Sequence, residues 1–178
     1  MDRTVVLTAT ARDRPGLVEE ISQLVLASGG GIGESRMASL HGRFMVMLFV
    51  SGDAGAIDRL EQGLPGLSAQ SGLEIHIAPA DTPGRDSSRT TLMRFTGKAL
   101  DQPGLVHEVA NVFSIFGANI ESMETTLEPA PVTGTPTFAM AAEISVMEHV
   151  SVEELEAALE AACSALNIDW SLSADTSP

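Results

Sequence analysis

The sequence predicts an α+β fold made twice, as two successive modules ordered strand, helix, strand, strand, helix, strand, each with an antiparallel sheet. Three observations predict it. A block that begins at Asp13 recurs 88 residues downstream, at Asp101. In both halves, short runs of alternating apolar residues bracket segments with apolar residues at helical spacing, in the same order. Between the halves lies Ala78-Pro79-Ala80-Asp81-Thr82-Pro83-Gly84-Arg85-Asp86-Ser87-Ser88, a linker composition with no apolar period.

The repeat is direct. Asp13-Arg14-Pro15-Gly16-Leu17-Val18-Glu19-Glu20-Ile21 returns as Asp101-Gln102-Pro103-Gly104-Leu105-Val106-His107-Glu108-Val109. The same offset carries Leu24 onto Val112, Gly29 onto Gly117 and Ile32 onto Ile120. Such self-similarity marks a duplicated supersecondary unit. The chain divides into a first module over 1–79, a linker over 80–89, a second module over 90–173 and a frayed tail over 174–178.

In the first module, Thr4 to Thr10 reads as a strand. Asp13 to Pro15 supplies a helix start, a capping acid with proline near the first helical position. Leu17, Ile21, Leu24 and Val25 form one helix face, and Gly29-Gly30-Gly31 ends it. Ile32 to Leu40 and Arg43 to Val50 read as a hairpin about His41-Gly42. Asp53 opens a second helix through Ile57, Leu60 and Leu64, and Leu73 to Ile77 closes the unit as a strand.

The second module repeats the order. Thr91 to Gly97 is a strand, and Pro103 to Phe116 a helix with Leu105, Val109, Val112 and Phe116 inward. Asn119 to Leu127 pairs with Thr137 to Val146. Ser151-Val152-Glu153-Glu154 is a capping box ahead of a helix carrying Leu155, Leu159 and Leu166, and Asn167 to Leu172 is the last strand. This order is the ferredoxin-like split βαβ, with both helices on one sheet face and the other face left to be covered. Met37, Met45 and Met47 on the first hairpin are expected in the core, with a partner-facing role as the alternative, and Trp170 is expected as a core or inter-module anchor.

Charge excludes one class of function. Lys+Arg total 10 against 24 Asp+Glu, a formal charge of −14, and no basic cluster occurs. A protein that grips DNA or RNA needs cations to neutralise phosphates. Any role in gene regulation therefore passes through another protein. No apolar run approaches the ~18 residues of a membrane helix, and Met1-Asp2-Arg3-Thr4 leads straight into a strand-like run. With Cys163 the single cysteine, no internal disulfide forms, and a reducing cytoplasm is the expected compartment. Modules of roughly 80–90 residues have thin cores, so homo-oligomerisation is expected.

Catalysis needs convergent groups, and the sequence offers few. His41, His76, His107 and His149 are scattered, with no metal-ligand spacing. His107 is the one histidine inside the repeated motif, and a solvated helix position is its expected setting. Cys163 follows Leu159 by a helical turn and reads as a buried apolar thiol. Neither a catalytic centre, a metal nor a cofactor is expected. The acidic run Glu148 to Glu160 reads as a solvated helix face.

The place for a ligand is the loop joining the first strand to the first helix. A helix start presents N–H groups with no internal partner and the positive end of the helix dipole. Gly16 and Gly104 let a ligand backbone approach, and a carboxylate suits such a place. Asp13 or Asp101 then meets an ammonium group, or only caps the helix.

Asp-x-Pro-Gly-Leu-Val after a first strand, followed by Gly117-Ala118-Asn119-Ile120, resembles the ACT-domain family in both halves. The resemblance implies ligand sites for free amino acids, glycine among them, at module interfaces. The residues it implicates are Asp13, Arg14, Pro15, Gly16, Leu17 and Val18 with Gly31 and Ile32. Their twins are Asp101, Gln102, Pro103, Gly104, Leu105 and Val106 with Asn119 and Ile120. Gly31 stands where the second copy has Asn119, so the second site carries the stronger polar expectation. The long connection Glu128 to Phe138 makes the chain similar to the glycine cleavage system transcriptional repressor family. That similarity implies a regulator that binds a transcriptional activator rather than DNA. A regulatory subunit that conveys feedback inhibition to an amino-acid biosynthetic enzyme is the alternative, and a small enzyme on the same scaffold a third. The purified protein alone is expected to leave a promoter fragment unshifted at physiological salt, and a retarded band in a gel-shift assay would overturn the charge argument.

Overall fold

The structure, a computed structural model, describes residues 2–80, 90–129 and 134–174. Two compact units divide at residue 85. The first contains β1 (Asp2–Arg12), α1 (Leu17–Ser28), β2 (Gly31–Leu40), β3 (Arg43–Asp53), α2 (Ala54–Ser71) and β4 (Glu74–Pro79). The second contains β5 (Thr90–Leu100), α3 (Leu105–Ile115), β6 (Asn119–Pro129), β7 (Pro136–Met147), α4 (Val152–Ala165) and β8 (Asp169–Ala174). The sheets run β2-β3-β1-β4 and β6-β7-β5-β8, with antiparallel pairing throughout. Two α+β modules of the expected topology are therefore present.

The central strand of each sheet explains the layering. Val5, Leu7, Ala9 and Ala11 are buried on β1, while the residues between them face the other way. Their inward row meets Leu17, Ile21 and Val25 of α1 and Ile57, Leu60 and Leu64 of α2 in one cluster. In the second unit the cluster is more aromatic. Phe95 meets Phe113 edge-on at 5.5 Å and stacks on Trp170 at 6.2 Å. Gly97 lies against Phe95 and Ile168, where an added Cβ would come within 3.2 Å of the ring and 3.1 Å of Ile168.

Local chemistry sets the ends of the elements. His41 and Gly42 both have positive φ, 48° and 73°, the conformation that a tight hairpin turn requires. Gly29 ends α1 in the left-handed region, its N–H bonded to the Leu26 carbonyl. Asn167 takes glycine's part after α4 at φ 53°, and Ile168 N–H reaches back to Cys163 O. Asp53 caps α2 by accepting from Ala56 N–H at 2.7 Å, and Ser151 caps α4 by accepting from Glu154 N–H at 3.2 Å.

Several expectations change. Helix α3 ends at Ile115; Phe113, not singled out by the sequence, is the fully buried ring, while Phe116, the C-cap, packs half-buried against the same core. Cys163 is fully buried on α4, as expected of an apolar thiol, and Leu166 lies half-buried at the helix end, packed against the same core. Helix α2 continues through Pro65 to Ser71, giving up the hydrogen bond that a proline nitrogen cannot donate. Met37, Met45 and Met47 are exposed rather than in the core. Trp170 does join the second core, half-buried. Part of the long connection is strand, because Pro129 pairs with Pro136 and Glu128 with Thr137. Residues 130–133, the expected linker from Asp81 on, and the tail beyond Ala174 lie outside the described residues. No described helix is long and apolar enough to cross a membrane.

Phe95 is fully buried between Phe113 and Trp170. Phe95→Ala is expected to cost about 3–5 kcal/mol, read from the shift in a urea unfolding curve.

Candidate functional site

The strand-to-helix loop sits at one end of each unit, beside the hairpin. Asp13 N–H donates to Gly42 O at 2.9 Å, and in the second unit Asp101 N–H donates to Pro136 O at 3.1 Å. The chain then turns into the helix through a left-handed glycine, Gly16 at φ 97° and Gly104 at φ 100°. These glycines are the N-caps, and neither helix start has a side-chain cap. This corrects the expectation that Asp13 caps α1. Its Oδ2 instead accepts from Ser39 Oγ at 2.6 Å, across to β2. Pro15 correspondingly stands before the N-cap and not inside the helix.

The residue between aspartate and proline acts as a latch in both units. Arg14 forks onto Glu20, Nη1 to Oε1 at 2.6 Å and Nη2 to Oε2 at 2.8 Å, and Nη2 also donates to Ser71 O at 3.3 Å. Gln102 Nε2 donates to Leu166 O at 2.8 Å. Each loop is thus tied to the C-terminal end of its unit's second helix, where carbonyls lack helical partners. The hydrogen bond to Glu20 raises the Arg14 pKa, and the same bond holds the Glu20 carboxyl below its ordinary value.

Around the first loop lies a shallow depression of about 540 Å³, lined by Asp13, Arg14, Pro15, Gly16, Leu17, Val18, Glu19, Ser22 and Phe44. Val18, Ser22 and Phe44 continue into an apolar crevice reaching Ile32 and Met37. The structure so gathers Asp13 to Val18, adding Ser22, Phe44 and Ser39. Ser39 and Phe44 meet the loop only through strand pairing, so no local sequence signal marks them.

The second half of each candidate set lies elsewhere. Gly31 pairs with Ser51 at the end of the sheet opposite Gly42, and Asn119 pairs with Ser145, far from Pro136. Within one unit the start of β2 or β6 is therefore a strand's length from the loop. Of these residues, only Ile32 extends to the crevice. Asn119 Nδ2 donates to Glu121 Oε1 at 2.9 Å. Hydrogen bonds from Ser145 and then Asn119 hold the Glu121 carboxyl below its ordinary value.

Other reactive side chains are dispersed. His41, His76, His107 and His149 are all exposed. Cys163 is fully buried, and burial together with the charge of Glu160 pushes its thiol up to about 11. Among the described residues, no group of three His, Cys, Asp or Glu is placed to hold a metal ion.

Comparison with known proteins adds the following. The family model for the ACT domain matches residues 3–78. The chain is 26% identical over 168 residues to the glycine cleavage system transcriptional repressor of Escherichia coli (strain K12), covering 94% of this chain and 88% of that one. The repressor of the same name from Shigella flexneri gives the same figures. An unknown protein from Galdieria sulphuraria superimposes with a TM-score of 0.82 at 26% identity, covering 98% of this chain and 99% of that one. The crystal structure of a candidate glycine cleavage system transcriptional repressor shares the fold with a TM-score of 0.74 at 24% identity, covering 98% of both chains.

The left-handed loop glycine yields a direct expectation. At Gly16 a Cβ would meet nothing closer than 3.6 Å, so only its φ of 97° opposes substitution. Gly16→Ala is expected to cost about 1–2 kcal/mol, measured by denaturant unfolding, without loss of the fold.

Proposed function

We propose that this chain, matched by the ACT-domain model over residues 3–78 and repeating the same topology in its second module, is a tandem ACT-domain protein with a non-catalytic, amino-acid-responsive regulatory role. The relatives that match along nearly the whole chain are named as transcriptional repressors of the glycine cleavage system. On this reading the protein is a regulator of that kind, acting through contact with another protein and not by gripping DNA. The −14 formal charge supports that route.

The observation that carries the amino-acid part is the pair of uncapped helix starts behind left-handed glycines. An amino acid's carboxylate matches the open N–H groups and dipole of such a start, and its ammonium matches a nearby carboxylate. On this reading Asp13 takes that second task in the first module, its carboxylate held by the Ser39 hydroxyl and not by the helix start. Asp101 holds the corresponding position in the second. The two modules need not answer equally. Arg14 closes one loop with a charged fork, Gln102 the other with a single neutral bond.

A thermal-shift panel of the twenty amino acids tests the reading, with glycine and serine in replicate. A ligand at 100-fold its dissociation constant adds about 2.7 kcal/mol, a rise of roughly 5–10 °C for a chain of this size. We expect one small amino acid to give that rise, and Asp13→Ala combined with Asp101→Ala to abolish it. A flat panel would leave the loops as structural turns and sink the amino-acid reading.

A further inference from the structure

The two modules share a topology but differ in the chemistry of their open sheet faces. In the first, register places Arg12 opposite Arg43, Arg43 opposite Leu40, Met45 opposite Ala38 and Met47 opposite Arg36. Directly paired residues share a face, and the alternating Phe44, Val46 and Leu48 are buried on the helix side. Arg12, Arg36 and Arg43 therefore share the open face with Leu40, Met45 and Met47, which are 58%, 40% and 53% exposed. All three arginines are exposed, and among the described residues none lies within ion-pair distance of a carboxylate. A chain with 10 cationic side chains against 24 acidic ones sets three of them along one face with no carboxylate within ion-pair distance, the face's own acid, Glu74, standing opposite Thr10 on β4.

The second module is an internal comparison. Ala11 opposes Phe44 as Ala99 opposes Phe138, which aligns the two sheets. At the aligned positions Glu124 replaces Arg36, Glu128 replaces Leu40, Thr137 replaces Arg43, and Ala139 and Ala141 replace the two methionines. The fold thus forms without arginine or methionine at these aligned positions, and the arginine that the second face does carry, Arg94, is paired with Glu143 at 2.9 Å, so the first module's set answers to something other than folding.

We propose that the open face of the first module docks an acidic segment of a partner protein that also carries aliphatic side chains. This deepens the regulatory reading above, which requires a protein partner, and names the surface that partner uses. Methionine is unbranched and polarizable and adapts to irregular apolar contacts. Guanidinium groups fork onto carboxylates, and here no existing ion pair must be broken first. A nucleic acid would satisfy the arginines alone, leave the methionines against water and meet the repulsion of the chain's net charge. An acidic, aliphatic polypeptide satisfies both groups.

The test uses the full chain and short fluorescein-labelled peptides of alternating Glu and Leu, with Lys–Leu and Glu–Ser versions as controls. Binding is followed by fluorescence anisotropy at low and high salt, and located by backbone amide NMR shifts. We expect the Glu–Leu peptide alone to bind, more weakly at high salt, with shifts confined to β1, β2 and β3. Arg36→Glu combined with Arg43→Glu should weaken it about tenfold or more. Met47→Asp should weaken it independently, and Thr126→Glu on the second module's face should change nothing. Equal binding of either control peptide, an unchanged affinity in the double reversal, or shifts in the second module would overturn the proposal. So would competition by a DNA duplex, or a reversal that dissociates copies of the chain in sedimentation, since a second copy would then be the occupant. The amino-acid panel run on the same variants separates the two readings. A retained thermal response without peptide binding sinks the docking face alone; peptide binding without any amino-acid response supports the face and sinks the ligand.

Discussion

A strand that must be dry on one side and open on the other is the constraint on which each module rests. β1 and β5 are central, hydrogen-bonded on both edges, and only one side of each receives helices. With a period of two, every second residue is committed to the core, and every residue between is left free to vary in chemistry. Helix packing, hairpin register and the position of both loops follow from that commitment. At aligned positions of the free rows the copies differ in chemistry, with Arg36, Arg43, Met45 and Met47 on one and Glu124, Thr137, Ala139 and Ala141 on the other.

The loops show a second economy. Each carries an aspartate whose N–H is held by the hairpin end, a latch residue held by the second helix, and a glycine that turns the backbone into the first helix. Three elements distant in sequence thus fix a short loop and leave the helix start without a side-chain cap. Such pre-ordering reduces the conformational entropy a ligand must offset on binding. Arg14 also joins the start of α1, through Glu20, to the end of α2, so a ligand that competed for its guanidinium would be felt at both helices.

Much of this was legible in the sequence, and the exceptions have physical causes. The repeated Asp-x-Pro-Gly block located both loops, and turn chemistry located the hairpin at His41-Gly42. The capping aspartate misled because Asp, Pro and Gly together fit two helix-start geometries, and long-range pairing with Ser39 decided between them. Met45 and Met47 misled because Phe44 to Val50 is unbroken apolar sequence, so no alternation says which row is inward, whereas Met37 shares the inward row with Val46 but stays exposed on the edge strand. Phe113 and Phe116 both continue the apolar spacing of α3, and the helix end after Ile115 selected the former. The far placement of Gly31 and Asn119 from their loops follows from the predicted order, since the first helix carries the chain back along the sheet before the second strand begins.

The aromatic core of the second module has a consequence for how a duplicated chain avoids trading parts. Two copies of one topology invite strand exchange, in which a segment of one completes the sheet of the other. Trp170 stands opposite Gly97, whereas Ile75 stands opposite Ala9 in the first module. Phe95 and Phe113 occupy the places of Leu7 and Val25. A misplaced β8 would press indole against an alanine methyl and aliphatic neighbours, and a misplaced β4 would leave a void beside Gly97. Core divergence thereby acts as an address label, directing each strand to its own sheet as the chain collapses.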